Sequence, residues 1–373
     1  MKILLLGEYS NVHATLAKGL RQLGHEVTVV SNGDFWKNYP RDIDVSRPNG
    51  RLGGLRLQLK VLRLLPRFRG YDVVQLINPM FLELRAERLF GIYRYLRKHN
   101  KLMVLCAMGM DYYWVSECTY RKPLRYSDFN IGDQVRTDEP AIREQRDWLD
   151  TAKEKLNKMI AHDCNAIVAG LYEDYVCYEP HFPRKTSFIP LPIVPAAPSP
   201  SAAPSAPIKL FIGISRGRSQ YKGTDIMLQA AQDVIAKYPG RAQLLKAEGV
   251  PFAEYQQMMN GSDAILDQLY SYTPSMNPLL AMSKGIVCIG GGEPENYDIL
   301  GETELRPIIN VQPTYESVFH ELEQLVLHPE RLPELKRQSI AYVSRHHDYL
   351  KVARQYEKVY QALRAQRDHQ RQA

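Results

Sequence analysis

The sequence has few cysteines and no long apolar run. Its cysteines form no Cys-x-x-Cys pair and no Cys/His cluster at metal-binding spacing, so we expect buried thiols rather than disulfides or a zinc site: Cys106, Cys118, Cys164, Cys177 and Cys288. No window offers the ~20 apolar residues that a membrane-spanning helix requires. The opening MKILLLGEYS has no small-residue cleavage site, so we expect a first strand rather than a signal peptide, and a cytoplasmic protein.

Two further motifs are missing or weak. Neither of the loops that open the two halves contains G-x-G-x-x-G, which disfavours a nicotinamide-dependent dehydrogenase. The one Asp-x-Asp, Asp42-Ile-Asp44, matches a signature of metal-dependent transferases of another fold, but three residues make a weak match. We expect these two to be surface carboxylates, and we expect no metal and no cofactor.

What is present is a globular composition with an uneven charge. The 373 residues are 45% hydrophobic and 24% charged, which suits a globular protein of two domains. The first 120 residues contain 18 Lys and Arg against 10 Asp and Glu, a surplus of +8 in a chain whose net charge is +7. The basic surface is therefore expected in the N-terminal half.

Seven of these basic residues, and no acidic one, lie between Asp44 and Asp72. Four of them follow helical spacing beside a leucine-rich face: Arg56, Lys60, Arg63 and Arg67. One interpretation is a domain helix with a solvated cationic edge. Another is a patch for an anionic membrane surface, since a basic amphipathic helix gains both apolar burial and attraction to headgroups. Nucleic acid is disfavoured because no stacking aromatics are interleaved with the cations.

Alternating strand and helix patterns run through both halves of the chain, which predicts an α/β fold. KILLLG (2–7), a helix ended by Gly24 and EVTVVS (26–31) form a βαβ opening. The stretch 195–207 contains only Pro, Ala and Ser and is typical of an exposed spacer. The alternation restarts after it with IKLFIGI. We expect two doubly wound domains that face a central cleft, with ligands bound between the carboxyl ends of both sheets.

Four segments follow from this pattern. They are a first domain (1–194), the spacer (195–207), a second domain (208–345) and a terminal helix (346–373) with an apolar stripe.

The loop SRGRSQYKGTD (215–225) joins the strand IKLFIGI to a helix start. Its cations and glycines precede free helix amides, a combination that favours an anion such as a diphosphate. The residues concerned are Arg216, Gly217, Arg218, Lys222 and Gly223. A polar surface loop with incidental cations is the alternative.

A second glycine cluster, GGGEPEN (290–296), follows the strand IVCI. Pro294 suits the first turn of a helix, and the flanking carboxylates of Glu293 and Glu295 are placed to accept hydrogen bonds from sugar hydroxyls. An ordinary tight turn is the alternative for this cluster.

Taken together, these residues resemble the nucleotide-sugar glycosyltransferases of the GT-B architecture, in particular the large retaining class. The resemblance covers nearly the whole chain and rests on five elements: the opening MKILLLGEY with GLRQLGHEVTVVS, IPLPI (189–193), the R…KG loop, AMSKGIVCIGGGEPE and the aromatic terminal helix. In that family the terminal helix crosses back onto the first domain.

The resemblance implies site residues in both domains. Lys222, with Arg218 or Arg216, would neutralise the donor diphosphate, and the GGxPE pattern is met by Gly291, Gly292, Pro294 and Glu295. The first domain would bind the acceptor, with Gly7 and Glu8 in its first loop and Asp111 facing the reacting carbon.

One departure from the family concerns two glutamates, eight residues apart, that hold the donor sugar and ribose. Tyr272 and Leu280 stand in their places, so Asp267, Glu293 or Glu295 would have to hold the donor instead. The expected function is transfer of a sugar, with retention, to a cell-envelope polysaccharide or lipid-linked acceptor. The alternatives are a binding or scaffold protein that has lost turnover and a nucleotide-sugar epimerase.

Overall fold

The computed structural model describes residues 1–196, 207–215, 217 and 219–372. Within that range it contains the following strands: β1 (Lys2–Leu6), β2 (Glu26–Ser31), β3 (Ile43–Asp44), β4 (Val73–Leu76), β5 (Leu102–Ala107), β6 (Asn130–Ile131), β7 (Gln134–Val135), β8 (Ala166–Ala169), β9 (Thr186–Phe188), β10 (Ile208–Ile214), β11 (Ala242–Glu248), β12 (Ala264–Leu266), β13 (Val287–Gly290) and β14 (Ile309–Asn310).

The same residues contain these helices: α1 (Val12–Gln22), α2 (Gly53–Leu64), α3 (Ala86–His99), α4 (Tyr112–Ser116), α5 (Glu139–Trp148), α6 (Ala152–Asp163), α7 (Tyr172–Tyr178), α8 (Ser219–Lys222), α9 (Thr224–Lys237), α10 (Phe252–Met259), α11 (Met276–Ser283), α12 (Pro294–Leu300), α13 (Tyr315–Leu327), α14 (Leu332–Tyr342) and α15 (Tyr349–Gln372).

The first domain contains a sheet of seven parallel strands in the order β3-β2-β1-β4-β5-β8-β9. The apolar runs of β1 and β5 form central strands because helices cover both faces of such a sheet, so every position must be apolar. Residues Ile3–Leu6 and Leu102–Ala107 are accordingly buried. The order reverses at β1, between β2 and β4, which is the topology of a doubly wound Rossmann-like domain.

The second domain contains a sheet of five parallel strands in the order β11-β10-β12-β13-β14. Its core contains the apolar faces of α9 and α13 together with the central strands. This domain is also α/β and doubly wound. A separate two-stranded antiparallel hairpin is formed by β6 and β7.

The domain boundaries differ from the predicted ones. One compact unit comprises residues 1–117, 144–192 and 349–372, and the other comprises 118–143 with the described part of 193–348. Residues 118–143, here called the inserted segment, therefore belong to the second domain although the prediction placed them in the first. The β6–β7 pairing is internal to this segment, so no strand joins it to the first sheet. Most of the 195–207 spacer lies outside the described residues.

The terminal helix α15 packs in the first domain, against α1. Gly19 of α1 makes the close approach: a Cβ atom there would lie 2.6 Å from Cβ of Ala353 and 2.7 Å from the carbonyl oxygen of Tyr349. Val352, Tyr356 and Tyr360 of its predicted apolar stripe are buried, and Val359 and Leu363 are half-buried. Ala353 is buried as well. The helix begins at Tyr349 rather than at residue 346.

Candidate functional site

Three loops of the second domain follow adjacent parallel strands. They are the cationic loop (residues 215–223) after β10, the bridging loop (267–273) after β12 and the glycine turn (290–293) at the end of β13. Because the carboxyl ends of parallel strands meet at one edge of a sheet, these loops share the edge where α/β domains bind ligands. Of the donor-site residues predicted in the second domain, those that the structure describes lie at this ligand edge.

The cationic loop is fixed to the bridging loop through its last two residues. The carbonyl of Lys222 accepts a hydrogen bond from the amide of Leu269 at 2.9 Å. Gly223 follows with φ of +70°, and a Cβ atom there would lie 2.8 Å from Cβ of Leu269, so a glycine is required. Helix α9 begins immediately after it, and its N-cap Gly223 provides no side-chain cap to the first turn. Arg216 and Arg218 lie outside the described residues, and the intervening Gly217 is exposed with φ of +76°.

Asp267 is the first residue of the bridging loop. Burial raises the pKa of its carboxyl group to about 6, and the positive charge of Lys222 opposes that increase. Within the described part of the chain no hydrogen bond is made to this carboxylate, so its oxygens can still accept. A carboxylate and an ammonium group are therefore neighbours at the ligand edge, as the predicted donor-binding roles of these two residues require.

The glycine turn is packed against the protein's own backbone. A Cβ atom at Gly291 would lie 2.1 Å from the carbonyl oxygen of Ser271, and one at Gly292 would lie 2.7 Å from Cγ2 of Ile308. The amide of Gly292 donates to the side chain of Asn310 at 2.9 Å. The close fit of the bridging loop and neighbouring residues is thus enough to explain both glycines.

Glu293 is buried and accepts hydrogen bonds from four side chains. Oε1 accepts from the hydroxyl of Tyr126 and the amides of Asn310 (3.1 Å) and Gln312 (2.6 Å), and Oε2 accepts from the guanidinium of Arg125 at 2.7 Å. Burial alone would raise the pKa of Glu293, but these donors and the charge of Arg125 hold it below its usual value. A carboxylate has about four accepting positions. Three of the four donors are on Oε1 of Glu293 and one is on Oε2.

Arg125 is the residue at this edge that sequence reasoning missed. Its guanidinium donates to both oxygens of Glu295 as well as to Glu293, and its backbone amide donates to the hydroxyl of Tyr272 at 2.6 Å. Its guanidinium carbon lies 4.9 Å from the centre of the Tyr272 ring. The hydrogen bond to Glu295, with smaller contributions from the other charges, raises the pKa of Arg125.

The inserted segment also contacts the cationic loop. The hydroxyl of Tyr221 donates to the carboxylate of Asp128, and the guanidinium of Arg136 donates to the carbonyl of Gln220 at 3.2 Å. Arg136 stacks over the ring of Tyr270, with 3.8 Å between its guanidinium carbon and the ring centre. The segment is therefore held by all three loops of the ligand edge.

No protein-family model matches the chain, and no curated protein is significantly similar to it in sequence. Solved structures are similar in fold. Anabaena HepE in complex with UDP and glucose has a TM-score of 0.59 and 13% identity, over 96% of this chain and 98% of that one. Sucrose-phosphate synthase from Thermosynechococcus elongatus has a TM-score of 0.65 and 12% identity, over 98% and 99%.

The catalytic domain of starch synthase IV from Arabidopsis thaliana, bound to ADP and acarbose, has a TM-score of 0.60 and 12% identity, over 97% of this chain and 99% of that one. The chain has the GT-B fold. The prediction of two Rossmann-like α/β domains is confirmed by these similarities.

The departure from the GT-B family pattern has a structural counterpart. Tyr272, in the place of a family glutamate, is buried, and burial raises the pKa of its hydroxyl to about 12 although Arg125 opposes the increase. Its ring packs against that of Tyr126, with 4.9 Å between centres. Tyr272 therefore contacts the inserted segment with its ring and its hydroxyl. Leu280 lies half-buried in α11.

Gly7 and Glu8 directly follow β1 in the first domain. Gly7 has φ of +84°, and a Cβ atom there would lie 2.3 Å from Cγ2 of Ile77. The carboxylate of Glu8 accepts from the amides of His13 (3.2 Å) and Ala14 (2.8 Å) at the start of α1. Burial nevertheless raises the pKa of Glu8 to about 8. A protonated carboxyl group thus lies at the ligand edge of the first sheet at neutral pH.

Asp111 lies after β5, at the same edge of the first sheet as Glu8, and caps α4. Its carboxylate accepts from the amide of Trp114 at 2.9 Å and from the hydroxyl of Tyr178 at 2.6 Å. Burial raises the pKa of Asp111 to about 6 despite these hydrogen bonds. Asp111 thus has a structural role in this GT-B domain, and its predicted acceptor-side role stays a prediction.

The basic stripe lies on α2 and the turn after it, and all four cations are exposed: Arg56, Lys60, Arg63 and Arg67. The leucines beside it are exposed as well, at 58%, 47%, 47% and 46%: Leu52, Leu55, Leu59 and Leu62. A different face of α2, with Leu57 and Val61, packs in the core. Helix α2 therefore has one buried apolar face and one exposed apolar face, and the exposed one adjoins the cations.

Other predicted features have simple placements. Asp42 pairs with Arg21, and Asp44 pairs with Arg41 and Lys60. The five cysteines are buried, and no disulfide joins them. Among the described residues, no group of three or more His, Cys, Asp or Glu side chains is arranged to hold a metal ion. No described helix is long and apolar enough to cross a membrane.

Proposed function

We propose that this protein is a glycosyltransferase that moves a sugar, with retention, from a nucleotide-sugar donor to a cell-envelope polysaccharide or a lipid-linked acceptor. The observation that carries the proposal is the ligand edge of the second sheet, where Lys222 lies near the carboxylate of Asp267 and directly precedes the N-cap of α9. HepE, which shares this fold, is a protein whose structure contains UDP-glucose. The fold and the charged groups at this edge therefore support the proposed transfer of a sugar.

The chemistry follows from charge. Cleavage of the sugar–phosphate bond develops positive charge on the anomeric carbon and negative charge on the leaving diphosphate. A fixed cation and helix amides at the diphosphate stabilise that transition state more than the ground state. Lys222 would supply the charge, together with Arg218 or Arg216. We propose that no metal ion is needed, because these groups already neutralise the diphosphate.

On the acceptor side we propose Gly7, Glu8 and Asp111. The carboxyl group of Glu8, with its pKa of about 8, can donate a hydrogen bond to an acceptor oxygen at neutral pH. Asp111 would assist from the segment after β5, which is separated from β1 by β4.

We also propose that the protein is cytoplasmic and binds the membrane surface where a lipid-linked acceptor would be found. The exposed leucines and cations of α2 support this, because apolar insertion and attraction to anionic headgroups act on the same face.

The test of the donor site is a thermal-shift titration against UDP-, GDP-, ADP- and CMP-sugars and the bare nucleotides. A ligand that binds only the folded state raises the melting temperature, and one nucleotide class should do so. We expect Lys222→Ala and Arg218→Ala to lose this shift and Lys246→Ala, a surface cation of β11, to keep it. If no nucleotide or nucleotide-sugar changes the melting temperature, the proposal is wrong.

Product analysis then separates the enzymes from the scaffold. With the selected nucleotide-sugar and a lipid or oligosaccharide acceptor, a glycosyltransferase releases nucleoside diphosphate and glycosylates the acceptor. An epimerase changes the sugar without needing an acceptor. Donor binding with neither reaction would identify a scaffold protein.

A further inference from the structure

The inserted segment is a folded part of the second domain. Leu124, Tyr126, Phe129 and Asn130 are buried, and the side-chain amide of Asn130 donates to the carbonyls of Leu124 (2.9 Å) and Gly132 (3.0 Å). These contacts give the segment a defined conformation of its own. Its contacts with the three loops then fix its position over the ligand edge.

Arg125 differs from its buried neighbours because 55% of its side chain is exposed. A guanidinium has five N–H groups. Three of those of Arg125 are used on Glu293 and Glu295, and in the described residues the other two, on Nε and Nη1, have no acceptor. The cation is therefore fixed in direction by two carboxylates while part of it remains available at the ligand edge.

Glu293 and Tyr272 both contact the inserted segment in this structure. Glu293 already accepts from four side chains, and Tyr272 accepts from the backbone of Arg125. The exposed guanidinium of Arg125 is consequently a donor that a ligand can reach at this place.

We propose that Arg125 is a residue of the donor pocket that donates hydrogen bonds to hydroxyl oxygens of the sugar being transferred, and that Glu293 and Glu295 position it. This inference rests on the proposed function, since it requires a nucleotide-sugar at the ligand edge. It assigns recognition of the sugar, as distinct from the diphosphate, to the inserted segment.

The test compares a nucleoside diphosphate with its sugar ester. Isothermal titration with UDP and UDP-glucose, or with the pair that the thermal-shift panel selects, is performed on wild type, Arg125→Ala and Arg125→Lys. Loss of hydrogen bonds from a charged group should weaken UDP-glucose binding about tenfold or more in Arg125→Ala. UDP affinity should stay within about twofold, because the diphosphate contacts remain.

Arg125→Lys should fall between wild type and Arg125→Ala because it keeps the charge but loses the planar fork. Arg143→Ala removes a cation from the far end of the same segment and should match wild type for both ligands. Glu295→Gln should weaken UDP-glucose binding less than Arg125→Ala does, since it loosens the guanidinium without removing it.

The outcomes are distinct. An equal loss of UDP and UDP-glucose affinity in Arg125→Ala would mean that Arg125 only holds the segment in place, which overturns the inference. Unchanged binding of both ligands would overturn it too and leave the proposed function standing. If wild type binds neither member of any pair, the proposed function and this inference fail together.

Discussion

At the residue scale, burial and hydrogen bonding shift the pKa values of carboxyl groups at the two ligand edges in opposite directions. Glu293 is surrounded by donors, which lower its pKa, whereas Glu8 receives two backbone amides and is still dominated by desolvation. Acidic residues next to glycines thus differ in charge at the same pH. The position of a glutamate in the sequence does not show whether its pKa is raised or lowered in the folded protein.

The state of Glu8 predicts a pH dependence of stability. Its pKa is about 8 in the folded protein and near the ordinary 4.5 when unfolded. Between these values the folded state holds a proton that the unfolded state has lost, so the free energy of unfolding falls as pH rises, by at most about 1.4 kcal/mol per pH unit. We expect Glu8→Gln to remove this contribution.

Urea unfolding of wild type and Glu8→Gln between pH 6.5 and 8 measures this pH dependence of the free energy of unfolding. Burial lowers the pKa of His13 to about 4, so this neighbour is neutral in the folded protein throughout that range, and the comparison of variant with wild type cancels other groups. The stability of Glu8→Gln relative to wild type should increase steadily with pH. A constant difference would show that Glu8 is ionised in the folded protein.

Lys222, Gly223, Asp267 and Glu295 lie at the ligand edge because they belong to the segments that follow three strands with clear apolar patterns. Their roles stay predictions. Arg125 could not be found in this way. Its partners Glu293 and Glu295 are about 170 residues away, and no period or motif links a loop cation to so distant a carboxylate.

At the element scale, the long strands follow the predicted runs closely, since fully buried strands are apolar throughout. EVTVVS is β2 itself, and KILLLG contains β1. The two-residue strands β3, β6 and β7 were missed because pairs of residues have no period. Two helices, α5 and α6, lie between residues 139 and 163, with Thr151 capping α6 and Asp150 at φ of +57° between them.

The close contact between α1 and α15 predicts the effect of one methyl group. Gly19→Ala must displace Ala353 or the Tyr349 carbonyl, and overpacking of this kind typically costs about 1–3 kcal/mol. Gly91→Ala in α3 is the matched control, because no atom lies within 4 Å of its Cβ position and alanine favours a helix by about 1 kcal/mol. Thermal unfolding should show the first variant destabilised and the second unchanged or stabilised. Equal behaviour would contradict the packing.

The exposed face of α2 predicts membrane binding by two kinds of side chain. Vesicles of anionic phospholipid should sediment the wild type. Changing Arg56, Lys60, Arg63 and Arg67 to Gln should abolish this, since each cation near the surface contributes about 1 kcal/mol. Leu55→Gln with Leu59→Gln should weaken it at unchanged charge, and neutral vesicles are the control. Sedimentation of all variants like wild type would exclude α2 as the contact.

At the scale of the whole molecule, the fold class could be predicted because strand and helix patterns alternate twice, on either side of a Pro/Ala/Ser stretch. The membership of the two domains could not. The chain passes from one domain to the other after residues 117, 143, 192 and 348. Only the crossing after residue 192 is marked by composition, because it lies beside the Pro/Ala/Ser stretch. The residues around the other three crossings have no unusual composition.

The four crossings between the domains determine the order in which each domain can be completed during synthesis. The surface of α1 that receives α15 stays uncovered until the last helix has left the ribosome, and the inserted segment is made before any strand of the sheet it will lie on. Neither domain can therefore be completed from the first half of the chain. The first domain requires α15, and the second requires the strands that follow residue 207.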